Sequence, residues 1–180
     1  VGRNAPQRLH VRDQRRARAR TDWDNRTHSN ISRVDRPHEM FFSVSETGVG
    51  PLDLSLADPE VKSVALTTEE EGVAVAAGAH LGGAKAALLM QSSGLGNCIN
   101  FFSMVTGGKF PFLTVLSMRG DYGEGNPWQM GMGKATRPIL DAMGFVTVEI
   151  TRRDEVETAM NAACTMACQS GEALAVLLTQ

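Results

Sequence analysis

The sequence is poor in the residues that define several protein classes. Its 180 residues include three cysteines, too few for a disulfide framework, and Cys98, Cys164 and Cys168 form no paired C-x-x-C zinc motif. No apolar run approaches the roughly 18 residues that a membrane span needs, and the amino-terminal segment has no apolar stretch of the kind that a secretory signal requires. These absences predict a cytoplasmic, reduced protein without a membrane partner.

Lysine is absent from residues 1–36, which carry ten arginines and four aspartates, whereas residues 37–180 carry eight basic and sixteen acidic residues. The amino-terminal segment also has few aliphatic residues and no sustained apolar period, so residues 1–38 are predicted to be disordered or loosely attached. The run "RDQRRARAR" permits a nucleic-acid or polyanion site, but a solvated tail is favoured and nucleic acid is not expected as a partner.

The remainder, residues 39–180, is predicted to form one domain in which strands and helices alternate. Apolar runs predict strands at 61–67, 86–91, 112–118, 145–150 and 173–179, and helices at 69–81, 97–107, 136–144 and 153–170. Near-continuous apolar strands that alternate with helices indicate an α/β fold, a three-layer parallel sheet with helices on both faces. Cys164 and Cys168, four residues apart on one helix, are interpreted as small core residues rather than a redox pair.

Polar stretches follow three successive strands: "TTEEEG", "SSGLGN" and "RGDYGEGNPWQ". Because ligands of open α/β sheets bind at the carboxyl ends of the strands, this coincidence predicts a site there. The glycine-rich turn at 92–97 permits anion binding at a helix N-terminus. A tight turn that lets the helix approach the sheet is the structural alternative, and the spacing leaves both open.

The three consecutive glutamates have a structural interpretation of their own. Thr67-x-x-Glu70 and Thr68-x-x-Glu71 both match a capping box, and acidic residues suit the positive end of a helix. One cap accounts for only one glutamate, however, and a carboxyl that faces a buried crevice could exchange a proton with a ligand.

Other polar and aromatic residues leave alternatives open. A structural role for His80 is favoured over a catalytic one. Arg119 and Asp121 could clamp an anionic substrate or pair with each other, and Trp128 and Met130 are expected to pack the loop after the third strand against the protein.

Three stretches together resemble a known family: "TTEEEGVAVAAGAHLGG", "LLMQSSGLGNCINFF" and "MRGDYGEGNPWQMGMGKATRPILDAMG". They look like the pyrimidine-binding domain of thiamine diphosphate-dependent decarboxylases, in particular sulfopyruvate decarboxylase alpha subunits and the matching half of phosphonopyruvate decarboxylase. The resemblance runs from about residue 56 to the end. It implies a decarboxylase subunit that acts on a small anionic 2-oxo acid, with thiamine diphosphate as the cofactor.

In this family a glutamate at the start of the helix hydrogen-bonds the ring nitrogen of the cofactor's aminopyrimidine and so promotes formation of the reactive carbanion. An ungapped match of "AAGAH" to the family's A-A-D-G-Y pattern assigns this role to Glu70, whereas anchoring on Gly78 assigns it to Glu69; Glu71 is then the cap. The loop that walls the pyrimidine is implied to comprise Ser92, Ser93, Gly94, Leu95, Gly96 and Asn97. Arg119 and Gln129 are implied to face the substrate or a partner subunit, and His80 is kept beside them as a further substrate or interface candidate.

The chain departs from the family pattern in two respects. It lacks the G-D-G and N-N pair that holds magnesium, so the resemblance implies no metal on this chain and a separate diphosphate-binding beta subunit that carries Mg2+ and shares the cofactor. Residues 1–38 do not resemble the family's first helix and strand, and residues 40–60 are interpreted as a remnant of them; a missing strand would expose a sheet edge. A non-catalytic α/β binding or assembly module is therefore the alternative function.

Overall fold

A computed structural model describes the backbone of residues 40–44 and the whole of residues 61–179. The strands are β1 (Met40–Val44), β2 (Val61–Ala65), β3 (Lys85–Gln91), β4 (Phe112–Ser117), β5 (Val146–Ile150) and β6 (Ala173–Leu178). The helices are α1 (Glu69–Leu81), α2 (Leu95–Gly108), α3 (Gln129–Ala142) and α4 (Val156–Ser170), the last preceded by a 3-10 turn at Arg153–Glu155.

The described strands form one six-stranded sheet in the order β2-β1-β3-β4-β6-β5. Every neighbouring pair is parallel, which confirms the predicted fold class. The carboxyl ends of the strands therefore share one side of the sheet, here called the carboxyl edge, and their starts form the amino edge. The strand in the stretch 40–60 is present and lies between β2 and β3, so no missing strand exposes this part of the sheet.

Alternating side chains of the central strands feed two separate cores. Phe112 and Leu116 of β4 pack with α1, α2 and α3 on one face of the sheet. Leu113 and Val115, their neighbours along the strand, pack with α4 on the other face. Since successive strand residues point to opposite faces, a strand covered on both sides must be apolar at nearly every position. This is why the apolar runs predicted these strands so closely.

The main error in the predicted elements concerns α3, which begins at Gln129 and not near residue 136. The stretch "QMGMG" contains two glycines, which have low helix propensity and suggested a loop. In the structure, a Cβ built on Gly133 would lie 2.3 Å from the carbonyl oxygen of Arg119. Close packing of the first turns of α3 on the preceding loop therefore requires glycine there, and tertiary contact overrides propensity.

Two further predictions concern the cysteines and the flanking segment. Cys164 is buried and Cys168 is partly buried, and burial is the main cause that raises the pKa of the Cys164 thiol to about 12, which supports the interpretation of Cys164 as a core residue. The predicted disorder of residues 1–38 lies outside the described residues, and the domain boundary at residue 39 stays a prediction. No helix in the described part of the chain is long and apolar enough to cross a membrane.

Candidate active site at the carboxyl edge

The first turn of α1 separates the three glutamates by their direction around the helix. Glu69 precedes the buried residues Gly72, Val73 and Ala76 by three, four and seven positions, so it lies on the face of α1 that packs against the protein. Glu71 is rotated by about 200° from Glu69, since each residue turns the helix by about 100°, and it is exposed. The helical register therefore turns Glu69 inward and Glu71 outward.

Glu71 is the cap, as predicted, although its partner differs from that of the capping box. Its Oε2 accepts a hydrogen bond from the backbone N–H of Thr67 at 3.0 Å. Thr68 occupies the N-cap position, and its side chain makes no capping hydrogen bond. The carboxylate thus satisfies a donor just outside the helix, and Glu71 requires no further role.

Glu69 reaches across to the turn that follows β3. The side-chain amide of Asn97 donates a hydrogen bond from Nδ2 to Glu69 Oε2 at 2.8 Å. A Cβ built on Gly94 would lie 2.5 Å from both Cγ and Oε1 of Glu69. No side chain therefore fits at position 94 while Glu69 lies where it does. The fold brings Glu69 together with two residues of the predicted pyrimidine-binding loop.

Glu70 lies on the flank of the same inner face, three and seven residues before the buried Val73 and Ala77. Its Oε2 is buried and has no hydrogen-bond partner within the part of the chain that the structure describes. A buried carboxylate oxygen without a donor is costly. Glu70 therefore presents an acceptor that a ligand could satisfy.

The turn itself is held by contacts within the chain. Ser92 is fully buried; its backbone N–H donates to the Ser117 carbonyl at 3.0 Å, and its Oγ accepts the Arg119 N–H at 2.9 Å. Leu95 is also fully buried in the core. Of the six predicted cofactor-binding residues, these two direct their side chains into the protein, whereas Ser93 is partly buried and Gly96 and Asn97 are exposed at the carboxyl edge.

Cys98 lies beneath this cluster and was not singled out from the sequence as part of the site. Its pKa is raised to about 12, mainly by burial and further by the negative charges of Glu69 and Glu70. The thiol is therefore neutral at physiological pH and is not a nucleophile, since the thiolate is the reactive form. Its buried side chain forms part of the apolar surface on which the carboxyls of Glu69 and Glu70 lie.

Arg119 does not pair with Asp121 as one alternative proposed; it pairs with Glu124. The guanidinium makes a two-point contact, Nε to Oε2 at 2.7 Å and Nη2 to Oε1 at 3.0 Å. The same carboxylate accepts the backbone N–H groups of Gly120 at 3.2 Å and Asn126 at 2.9 Å. The bonds from Arg119, Asn126 and Gly120 lower the pKa of Glu124 to about 2.

This arrangement pins the loop after β4, and sequence reasoning missed it. Glycines with positive φ, Gly120 at 75° and Gly123 at 84°, fold the chain back between Arg119 and Glu124. Such residues favour glycine because L side chains are strained there. The R-G-x-x-G-E spacing is the sequence signal from which this folded-back loop could have been predicted.

The aromatic residues of this loop are exposed, so the prediction that Trp128 packs the loop down is wrong. Trp128 is 89% exposed, Tyr122 is fully exposed and Met130 is 37% exposed. The loop is held instead by polar bonds, including one from the Trp128 N–H to Asn126 Oδ1 at 3.1 Å. Gln129, at the start of α3, carries a buried Oε1 without a hydrogen-bond partner among the described residues.

His80 lies elsewhere. It stands at the far end of α1, about 16 Å along the helix axis from Glu69 at 1.5 Å per residue, and its ring contacts that of Phe110 edge-on with centroids 6.0 Å apart. There it lines a small cavity near the amino edge with Lys85 and Cys168. The structure does not bring His80 to the carboxyl edge, and a role at a subunit interface stays a prediction.

Across residues 61–179 and the backbone of 40–44, no three His, Cys, Asp or Glu side chains gather as metal ligands would. The contacts described above define the candidate site as a carboxylate pair, Glu69 and Glu70, beside a glycine-rich strand-to-helix turn at the carboxyl edge of the parallel sheet. This combination is typical of a ligand-binding α/β domain.

Comparisons with known proteins indicate the family of this domain. No protein-family model matches the chain. The sulfopyruvate decarboxylase subunit alpha of Methanothermobacter thermautotrophicus is 37% identical over 128 residues, 71% of this chain and 78% of the relative. That of Methanococcus maripaludis is 47% identical over 94 residues, about half of each chain at 52% and 53%. Phosphonopyruvate decarboxylase of Streptomyces viridochromogenes is 37% identical over 113 residues, 61% of this chain and 28% of the relative.

A solved structure, 2-oxoglutarate:ferredoxin oxidoreductase from Magnetococcus marinus, superposes with a TM-score of 0.63 over 89% of this chain and 28% of that chain. At 13% identity this likeness shows the fold alone. The sequence matches go further, and they confirm the resemblance found in the three motifs. The chain belongs to the family of sulfopyruvate decarboxylase alpha subunits.

Proposed function

We propose that the chain is the alpha subunit of a thiamine diphosphate-dependent decarboxylase that converts an anionic 2-oxo acid, such as sulfopyruvate or phosphonopyruvate, to the aldehyde and carbon dioxide. Family membership supports the reaction class, because the relatives are named for decarboxylation of these two acids. The carboxyls at the carboxyl edge support the location of the site.

One observation carries the assignment of the catalytic carboxyl: the Glu69 side chain lies on the turn that the resemblance assigns to the pyrimidine. The ungapped sequence match favoured Glu70, but the contacts favour Glu69, which faces Gly94 and Asn97. Glu70, with its unpartnered buried oxygen, is the second candidate. Both carboxyls fit the chemistry of the aminopyrimidine, which presents a ring nitrogen and an amino group to hydrogen-bonding partners.

Thiamine diphosphate, when bound, supplies the nucleophilic carbon and the electron sink for the loss of carbon dioxide. The residues of this chain have the tasks of binding, orientation and proton sharing. Glu69 would share a proton with the ring nitrogen through a carboxyl oxygen. The buried Leu95 and Cys98 provide an apolar base beneath the turn, which strengthens such a hydrogen bond because the local dielectric constant is low.

The second subunit is proposed to dock on the carboxyl edge and to bring the diphosphate-binding residues and Mg2+. The exposed rings of Tyr122 and Trp128 on a pinned loop support this location. Large exposed aromatic residues are enriched at protein interfaces, and a loop already ordered before binding loses little entropy on association.

The test is the decarboxylation of sulfopyruvate and phosphonopyruvate by this chain co-purified with its cognate beta subunit. Glu69→Gln should lower kcat by about 10²- to 10⁴-fold, the usual contribution of a positioned proton-transfer group. Glu71→Gln is the matched control, since Glu71 is the adjacent outward-facing cap, and its activity should stay within a few-fold of wild type. Full activity in both Glu69→Gln and Glu70→Gln would refute the catalytic assignment. No activity from the wild-type complex would favour the non-catalytic module.

A further inference from the structure

We infer that Asn97 is a positioning residue that orients the carboxyl of Glu69 so that its Oε1, and not its Oε2, meets the cofactor ring. This inference rests on the proposed function and deepens it. The resemblance assigned Asn97 to the wall of the cofactor site, whereas the structure directs its amide at the glutamate.

The direction of the hydrogen bond distinguishes the two carboxyl oxygens. The Asn97 Nδ2 can only donate, and it lies 2.8 Å from Glu69 Oε2. A protonated carboxyl has one carbonyl oxygen and one hydroxyl oxygen, and the carbonyl oxygen is the better acceptor for the amide donor. The proton that Glu69 shares with a ring nitrogen therefore belongs on Oε1, the oxygen that faces the side-chain-free Gly94.

Asn97 is well placed to hold this geometry because it is anchored in the same turn. Its backbone N–H donates to the Gly94 carbonyl at 3.0 Å, so the amide donor and the glycine move together as parts of the start of α2. The hydrogen bond joins residues 28 positions apart in the chain and ties the beginning of α1 to the beginning of α2. Both elements of the site thus keep one relative position.

Asn97 can be tested without unfolding the protein, because its side chain is exposed. Asn100 provides a matched control, since it is also exposed, lies one turn further along α2 and has the same chemistry. Asn97→Ala removes the donor, and Asn97→Asp keeps the shape but replaces the donor with an acceptor. A merely structural role would predict similar, small effects for Asn97→Ala and Asn100→Ala.

The measurement is the dissociation constant of the alpha–beta complex for two ligands: thiamine diphosphate, and an analogue in which the pyrimidine ring nitrogen that Glu69 contacts is replaced by C–H. Wild type should prefer thiamine diphosphate by about tenfold or more, the value of one hydrogen bond to a charged group. Asn97→Ala should reduce this preference several-fold towards that of Glu69→Gln. Asn97→Asp should reduce it at least as far, and Asn100→Ala should leave it unchanged.

A second measurement, the NMR signals of the Asn97 side-chain amide in the same complex, reports the contact itself. These signals should shift in Glu69→Gln and not in Glu71→Gln. A wild-type preference that survives in Asn97→Ala would overturn the inference and leave the proposed function standing. Absence of any preference in wild type would instead refute the assignment of Glu69 to the ring, and the positioning role with it.

Discussion

The carboxyl edge and the amino edge of the sheet are formed by the same strands, but their side chains are connected differently. At the carboxyl edge, hydrogen bonds link residues far apart in the chain: Asn97 with Glu69, and Arg119 with Ser92. At the amino edge, His80 makes a ring contact with Phe110 and borders a small cavity. The structure places candidate residues from the sequence at both edges, and the carboxyl edge gathers several of them into one cluster.

The difference shows that residue type alone does not identify a site. Histidine is the residue type most often associated with proton transfer near neutral pH, yet the structure places His80 apart from the other candidates. Glu69, one of three identical neighbours, becomes the leading candidate because the packing face of α1 and the turn at Gly94 converge on it. Convergence of polar groups from separate elements is the stronger criterion.

Among variants that test the difference between the two edges, the largest loss of activity is expected from Gly94→Ala at the carboxyl edge. Gly94 has an ordinary helical backbone, with φ −68° and ψ −23°, so alanine adds no backbone strain. Its Cβ would overlap Glu69, whose flexible side chain must then rotate away. We expect kcat/KM to fall by about 100-fold, as small displacements of catalytic groups can cause, with little change in the melting temperature.

The control for Gly94→Ala is Gly78→Ala on the same helix as Glu69. A Cβ on Gly78 meets nothing within 4 Å, and alanine in a helix is more stable than glycine by about 1 kcal/mol. Gly78→Ala should therefore keep full activity and unfold at the same or a higher temperature. Equal activity of the two variants would mean that Glu69 does not act from its position on the turn.

A smaller effect is expected from Trp128→Ala, which tests the carboxyl edge as the docking surface. Loss of an exposed ring that becomes buried in a complex should weaken the affinity for the beta subunit by about tenfold or more. Leu81→Ala is the counterpart near the amino edge, where Leu81 is 76% exposed, and it should leave the affinity unchanged. Titration of labelled beta subunit measures both. If Leu81→Ala, and not Trp128→Ala, weakened the affinity for the beta subunit, the docking surface would lie at the amino edge instead.

The smallest effect is expected from the Arg119–Glu124 pair. Because the pKa of Glu124 falls from 4.5 to about 2 in the folded protein, the pair contributes its full stabilisation above pH 4.5, and the contribution is lost as the pH falls towards 2. Glu124→Gln should raise the rate of proteolytic cleavage in the loop a few-fold at neutral pH, whereas Asp121→Asn should not. The difference in cleavage rate between wild type and Glu124→Gln should also disappear as the pH falls towards 2. If this difference did not change with pH, the Arg119–Glu124 pair would not be its cause.

Much of the fold was predictable because the signals were local. The bounds of α1 match the prediction at 69–81, and the central strands follow from apolar runs that two cores require. The beginning of α3 was not predictable, since Gly131 and Gly133 weaken the helix signal and only contact with Arg119 explains the second of them. The exposure of Trp128 was missed for a similar reason: polar bonds of Glu124 and Asn126 replace the expected apolar packing.

By itself the sequence determined the class of fold, the side of the sheet where the polar turns meet, and the family to which the chain belongs, because these depend on patterns along the chain. Only the tertiary structure decided between neighbours: Glu71 as the cap, Glu69 on the turn, Glu124 as the partner of Arg119, and His80 away from the site. Such choices depend on the rotation of a helix by about 100° per residue and on which distant element it then meets. A shift of one residue along the chain thus becomes a difference in direction around the helix, and neighbouring glutamates meet different parts of the protein.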